Sequence, residues 1–244
     1  RHKVVKNVNV PEFESGAFVR LIGPNASGKS TLFKSIAGLI TPMAGTIALR
    51  GKDITHLRQR DRAHHIAYMP QAFGCNAILT VFETVLLALK QTGGWRVKGD
   101  NLDQVSDTLA ALDLGHLSER GIADLSGGQA QMVAVAQTLV RAPEVILLDE
   151  PTSALDLHHQ LSIMTSVKTE LGRRKPVVIA ALHDLNLAAK FCDRLILLRD
   201  GEILADGVPQ DILALPAIGE TYNVKTDLER TKRGAFYVDA RLSA

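Results

Sequence analysis

The stretch Phe18-Val19-Arg20-Leu21-Ile22-Gly23-Pro24-Asn25-Ala26-Ser27-Gly28-Lys29-Ser30-Thr31 decides the fold. Phe18 to Ile22 reads as a short apolar strand, Gly23 to Thr31 as a glycine- and serine-containing loop, and Leu32 to Leu39 as the continuing helix. Gly23 to Ser30 matches the pattern GxxxxGK[ST] in the context that gives the pattern meaning, after a strand and at the start of a helix. A glycine-rich turn without those flanks would be only a turn. The physical reading is a phosphate cradle. Backbone N–H groups in the run Gly23, Pro24, Asn25, Ala26, Ser27, Gly28, Lys29, Ser30 and Thr31 curl around an anion, helped by the helix dipole. Lys29 is placed to reach the β- and γ-phosphates of a nucleotide, and the Ser30 hydroxyl to ligate Mg²⁺.

Further along, Val145-Ile146-Leu147-Leu148-Asp149-Glu150 is an apolar strand ending in two adjacent carboxylates. Open α/β sheets bind ligands at the carboxyl ends of their strands. Neighbours on a strand point to opposite sides, so the two acids can do different work. Asp149 is expected to hold the Mg²⁺ shell, and Glu150 to polarise the attacking water as a general base. Alone, such a strand would read as running into a solvated acidic turn. Gln71, after the strand Ile66 to Met69 and Pro70, and His183, after the strand Val177 to Leu182, stand at the same kind of edge. Either alone could be a boundary residue. Together they are expected near the γ-phosphate, His183 as a donor to it and Gln71 touching Mg²⁺ or the water.

A second helix start occurs about a hundred residues downstream. In Leu125-Ser126-Gly127-Gly128-Gln129, Ser126 reads as an N-cap and the glycines leave backbone N–H groups exposed, which makes the start receptive to anions. Residue chemistry alone leaves two alternatives, a plain capping box or a second phosphate site. The paired histidines His64-His65 and His158-His159 diverge by about 100° on a helix, and no Asp, Glu or Cys is expected to complete a metal set with them.

The chain of 244 residues is long enough for one large domain or a domain with an inserted subdomain. Its net charge of +2 is spread with mixed signs, so no electrostatic footprint for nucleic acid is expected. Lys225, Arg230, Lys232 and Arg233 are interleaved with Asp227 and Glu229 and read as a solvated surface. Cys75 and Cys192 lie far apart without CxxC spacing, which fits free thiols in a reducing compartment. No apolar run reaches the ~18 residues of a membrane span, and no signal peptide is visible. The sequence begins at Arg1 in mid-pattern, so residues are expected to precede it. A role at a membrane would have to come through a partner.

Strand and helix signals alternate at both ends of the chain, predicting an α/β fold with a mostly parallel sheet. Thr41 to Leu49 reads as turn and strand, and Leu195 to Ala205 as a hairpin about Asp200-Gly201. Between the two halves lie helices. The first starts at the capping box Thr80 to Glu83 and buries Val81, Phe82, Val85, Leu86 and Leu89. The second follows Asn101 with Leu102, Val105, Leu109 and Leu112, and the third runs from Ser126 to about Val140. Residues 1–71 and 142–244 are expected to form the nucleotide-binding core and 72–141 a helical subdomain. Asp156 is predicted to cap a helix burying Leu157, Leu161, Met164 and Leu171, and Asp184 to cap a shorter one.

This set of motifs in this order resembles the ATP-binding cassette (ABC) family of transporter ATPases, over essentially the whole chain. The resemblance implies a P-loop NTPase core with an antiparallel β part and an inserted helical subdomain. It makes Gly23–Thr31 the Walker A loop, Gln71 the Q-loop, Leu125–Gln129 the signature motif and Val145–Glu150 Walker B. Ser153-Ala154-Leu155-Asp156 becomes the D-loop and His183 the switch histidine. It also resolves the second helix start. In the family two cassettes dimerise head to tail, so Ser126 and Gly128, with Gly127 and Gln129, would grip the γ-phosphate of ATP held by the other copy. Closing and reopening the dimer drives a membrane-spanning permease at the cytoplasmic face of the inner membrane. The segment Ala72 to Leu79 is expected to receive that permease.

The stretches Leu79 to Leu87, Gly94-Trp95-Arg96-Val97 and Leu182 to Ala189 resemble importers of ferric siderophores, haem and cobalamin, which work with an extracytoplasmic binding protein. The alternatives are an ABC ATPase of another importer or exporter class, or a soluble non-transport ABC ATPase, and the non-transport types fit less well. Chromosome and repair ATPases carry long coiled coils between the P-loop and signature halves, and translation ATPases carry two cassettes per chain. The chain departs from the family at Ala26, where glycine is commoner, and at Ala130, Met132 and Gln137, where arginine or lysine is frequent. The residue that stacks on adenine would align just before Arg1.

Overall fold

The computed structural model describes residues 3–71, 78–91, 98–153, 155–182, 184–232 and 234–242. Strand β1 (Phe18–Ile22) is buried along its length and feeds the loop that opens helix α1 (Lys29–Ile36). The short pair β2 (Ala48–Leu49) and β3 (Lys52–Asp53), helix α2 (Gln59–Arg62) and strand β4 (Ile66–Met69) follow. Helices α3 (Val81–Lys90), α4 (Gly99–Ala111) and α5 (Gly127–Leu139) come next. Alternation resumes with β5 (Val145–Asp149), α6 (Leu157–Arg174), β6 (Val177–Ala181), α7 (Leu185–Phe191), β7 (Arg194–Arg199) and β8 (Glu202–Gly207). Helices α8 (Pro209–Leu213) and α9 (Pro216–Tyr222) lead into the hairpin β9 (Val224–Arg230) and β10 (Phe236–Leu242).

The main sheet has the order β4-β5-β6-β1-β7-β8, parallel except for β8, which pairs antiparallel with β7. Both faces are covered, so its inner strands are apolar runs rather than alternating ones. Successive residues still go to opposite sides. Phe18, Ile22, Ile146, Leu148, Val178 and Ala180 join one buried cluster, shared with α3 to α6. Val19, Leu21, Val145, Leu147, Ile179 and Ala181 join the other, which Phe33 of α1 and Ile54 complete. The β7–β8 turn places both Asp200 (φ 51°) and Gly201 (φ 81°) in the left-handed region, as a two-residue hairpin of this hand requires.

Several local expectations need correction. Of Thr41 to Leu49 only Ala48–Leu49 is strand. Helix α4 begins at Gly99, and Asn101 acts from its third position, where Oδ1 accepts the Lys98 N–H at 3.1 Å. Leu102 is exposed while Val105, Leu109 and Leu112 are buried. On α6, Leu157 is 67% exposed, and Ile163 and Val167 take the core positions beside Met164 and Leu171. The tail read only as solvated surface is the β9–β10 hairpin. It docks on α7, where the Val238 N–H donates to Asn186 Oδ1 at 2.7 Å. Most of the segment Ala72 to Leu79, and all of Gly94 to Val97, lie outside the described residues.

Candidate functional site

Strands β1, β4, β5 and β6 run parallel, so their carboxyl ends share one edge of the sheet. From that edge come the loop after Ile22, Gln71 after β4, Asp149 at the end of β5 and the connection after β6. A cleft of about 720 Å³ opens there, lined by Asn25 to Thr31, Gln71, Glu150, Asp200 and the early residues Lys3, Val4 and Lys6.

The loop is held by backbone geometry. Gly23 (φ 154°) packs so tightly that a Cβ would stand 2.0 Å from the Leu198 carbonyl oxygen, and its N–H donates to Tyr222 Oη at 2.8 Å. Ala26 takes the left-handed conformation (φ 61°), where glycine would be unstrained. Gly28 (φ 107°) starts α1 with no side-chain cap, so the first amides of that helix are left for a ligand. The Ser27 carbonyl oxygen accepts the Gly201 N–H at 3.1 Å, tying the loop to the β7–β8 turn.

Lys29 is buried and its Nζ donates to the Gly23 and Pro24 carbonyl oxygens, both at 2.8 Å. Burial pushes its pKa down, while Glu150 and Asp149 pull it back up. Asp149 is 2% exposed. Its Oδ2 accepts from the Tyr68 hydroxyl at 3.1 Å, and its Oδ1 has no hydrogen-bond partner among the described residues. Burial, then the Asp149 charge, raises the Tyr68 pKa and keeps the phenol a donor. An orphaned, buried carboxylate oxygen beside uncapped amides fits the oxygen-ligand chemistry of a hard divalent cation bound with phosphates.

Glu150 differs from its expected setting. Strand β5 ends at Asp149, and Glu150 adopts φ 55°, so a left-handed turn rather than strand alternation separates the two acids. That conformation is fixed from several sides. The Glu150 N–H donates to the Ala181 carbonyl oxygen at 3.0 Å, and its own carbonyl oxygen accepts from Gln131 Nε2 at 3.1 Å and Ser153 Oγ at 3.2 Å. Its carboxylate accepts from Gln71 Nε2 at 2.6 Å, which brings Gln71 and Glu150 together across the cleft mouth.

Ser126, Gly127, Gly128 and Gln129 do not line this cleft, and neither does Asp156. Ser126 Oγ accepts the Gln129 N–H at 3.3 Å, and Gln129 Oε1 accepts the Ser126 N–H at 3.0 Å, a reciprocal capping box at the start of α5. Gln131 carries a link from α5 to the turn at Glu150. Met132 belongs to the core, and Gln137 Nε2 donates to the Thr84 carbonyl oxygen of α3 at 3.3 Å. Asp156 caps α6 and stands with His158 and His159, the three potential ligand atoms within 4.8 Å. This is a grouping that the divergence of the histidine pair does not foretell. Its Oδ1 is taken by the His159 N–H at 2.9 Å and Nδ1 at 2.8 Å, which hold the exposed carboxyl below its usual range. His183 lies outside the described residues.

Sequence reasoning missed Arg20, Tyr68, Gln131 and Tyr222. Arg20 carried a signal, a cation in the middle of the apolar run Phe18 to Ile22. The other three meet the site only through tertiary contacts.

Residues 5–153 match the family model described as ABC transporter. The petrobactin import ATP-binding protein of Bacillus anthracis is 35% identical over 241 residues, covering 98% of this chain and 88% of its own. The hemin import ATP-binding protein of Gloeobacter violaceus is 37% identical over 238 residues, covering 94% and 86%. The ferric enterobactin transport ATP-binding protein of Escherichia coli is 34% identical over 228 residues, covering 92% and 83%. Among solved structures, a dimeric post-hydrolysis ATP-binding cassette bound to ADP and phosphate superposes with a TM-score of 0.77 at 31% identity, covering 84% of this chain and 90% of that one. A nucleotide-free cassette from an ABC transporter gives 0.80 at 25% identity, covering 90% and 92%.

Proposed function

This chain belongs to the ABC transporter family and is an ATPase of it, and from that premise we propose that it energises uptake of a ferric siderophore, haem or cobalamin-type substrate. The relatives named for petrobactin, hemin and ferric enterobactin support the substrate class. In this reading the loop Gly23–Thr31 binds the phosphates of ATP, with Lys29 turning from the Gly23 and Pro24 carbonyls to the β- and γ-phosphates. Mg²⁺ would be held by Ser30, Asp149 and Gln71, and when bound it neutralises phosphate charge. Glu150 orients and deprotonates the attacking water once Gln71 releases its carboxylate. His183 donates to the γ-phosphate.

The capping box at Ser126 and its neighbours Gly127, Gly128 and Gln129 would meet the γ-phosphate of ATP bound to a second copy, arranged head to tail, with Asp156 near the same interface. The dimeric solved cassette supports the pairing of two copies. The described residues contain no helix long and apolar enough to cross a membrane. By likeness to the import ATP-binding relatives, the protein would act at the cytoplasmic face of the membrane through a permease that docks near residues 72–79, served by an extracytoplasmic substrate-binding protein.

The observation that carries the reading is the convergence of Lys29, the orphaned Asp149 oxygen, Glu150 and Gln71 at one sheet edge. Its test is Glu150→Gln. Turnover should fall by ~10²–10⁴-fold, with ATP-bound dimers accumulating on size exclusion. Normal hydrolysis by that variant would remove Glu150 from the mechanism. Failure to co-purify with a multi-spanning permease, together with ATPase activity stimulated by nucleic acid, would remove the transport role.

A further inference from the structure

Arg20 sits in the middle of β1, the central strand that delivers the phosphate loop, with no exposed surface. A buried guanidinium costs more free energy than an aliphatic side chain at the same place unless polar partners offset it. Its partners are specific. Nη1 donates to the Asp184 carbonyl oxygen and Nη2 to the Leu182 carbonyl oxygen, while Nε has no partner among the described residues. Burial dominates its electrostatics and brings its pKa down to about 10, with Cys192, Tyr222 and Asp184 acting in the opposite direction. It remains a cation at neutral pH.

The two carbonyls lie on either side of residue 183, in the short connection between β6 and α7. A planar fork that holds two peptide oxygens fixes those two carbonyls relative to each other and to β1, which a point charge on a flexible stem cannot do. The far end of the connection is fixed separately, because Asp184 Oδ1 accepts the Asn186 and Leu187 N–H groups at 2.8 and 3.2 Å. We propose that Arg20 is a positioning residue for ATP hydrolysis, a clamp from the central strand β1 on the Leu182 and Asp184 carbonyls, which flank in sequence the residue that the proposed function makes the γ-phosphate donor. This rests on the reading of the site given above.

The test uses the full chain with ATP. Arg20→Met should lower kcat by ~10- to 100-fold while KM and MgADP affinity change less than about twofold, since the phosphate loop keeps its own contacts. Arg20→Lys should recover only part of the loss. In a His183→Ala background, Arg20→Met should cost little more, because both changes remove the same contribution. Amide hydrogen exchange over residues 184–188 should speed up in Arg20→Met. If Arg20→Met does not fold, Arg20→Lys carries the test, with lowered kcat and unchanged KM expected. Full turnover from a folded Arg20→Met protein, unchanged exchange over 184–188, or losses that multiply in the double variant would each overturn the clamp. Normal turnover in His183→Ala would instead overturn the reading of the site, and the clamp with it. A His183-dependent enzyme indifferent to Arg20 would overturn the clamp alone.

Discussion

The two glycine-bearing helix starts of this chain look alike in sequence and differ in every physical respect. The start of α1 is buried, has no side-chain cap, and carries Lys29 and the nearby acids Asp149 and Glu150. The start of α5 is exposed at Ser126 and Gly127, closes on itself through the Ser126–Gln129 box, and has no basic residue in Ser126 to Gln129. The first leaves its opening amides without a side-chain acceptor. The second already satisfies two of its own backbone groups. Helix-start chemistry by itself does not make a site. What makes one is whether the surrounding fold leaves the donors unspent.

The largest expected effect comes from breaking the first start and testing the second in trans. Lys29→Ala should lower hydrolysis by ~10²–10³-fold, measured at saturating ATP. Ser126→Arg should be equally inactive alone, and a mixture of the two variants should regain at most one working site per dimer. Full activity of Ser126→Arg by itself would end the shared-site proposal. A smaller effect separates the glycines. Gly23→Ala forces a Cβ to 2.0 Å from the Leu198 carbonyl oxygen, whereas a Cβ at Gly127 meets nothing within 4 Å. Gly23→Ala should therefore lower Tm by roughly 8 °C or more, and Gly127→Ala by less than about 2 °C. A large loss of hydrolysis in the thermally intact Gly127→Ala protein would then report contact with ligand. A smaller loss than at Gly23 is expected from Ser126→Ala, which removes one cap bond and should cost about 1 kcal/mol, read as a Tm shift of about 2–4 °C without nucleotide. No shift would mean that the capping box contributes nothing to the isolated chain.

The same contrast marks how far the sequence could be read. The strand before the loop, the acidic strand Val145 to Asp149 and the caps at Thr80, Ser126, Asp156 and Asp184 were legible because each is a local pattern within a few residues. Leu157 was misplaced because it opens α6, where the turn has not yet reached the core. The β9–β10 hairpin was missed because its charges sit on strands with a single well-buried apolar residue, Val238, so alternation hardly shows. At the site, Lys29, Asp149 and Gln71 were named from pattern. The hydrogen bond from Gln71 to Glu150, the left-handed turn at Glu150 and the Tyr222 contact to Gly23 were not, since they join residues 79 to 199 positions apart or depend on a backbone reversal that composition does not encode.

Strand β1 is flanked by β6 and β7, neither of which has been synthesised when β1 leaves the ribosome. At ordinary elongation rates of about 5–20 residues per second, it waits on the order of 10–30 s for its first partner. Throughout that interval both of its edges are open, and Phe18, Val19, Leu21 and Ile22 have no sheet to join. The one charge in the run is Arg20. A cation in the middle of an unpaired apolar strand discourages pairing with another nascent chain, so the residue that ends up buried at the centre of the sheet also guards that strand while the sheet is still incomplete.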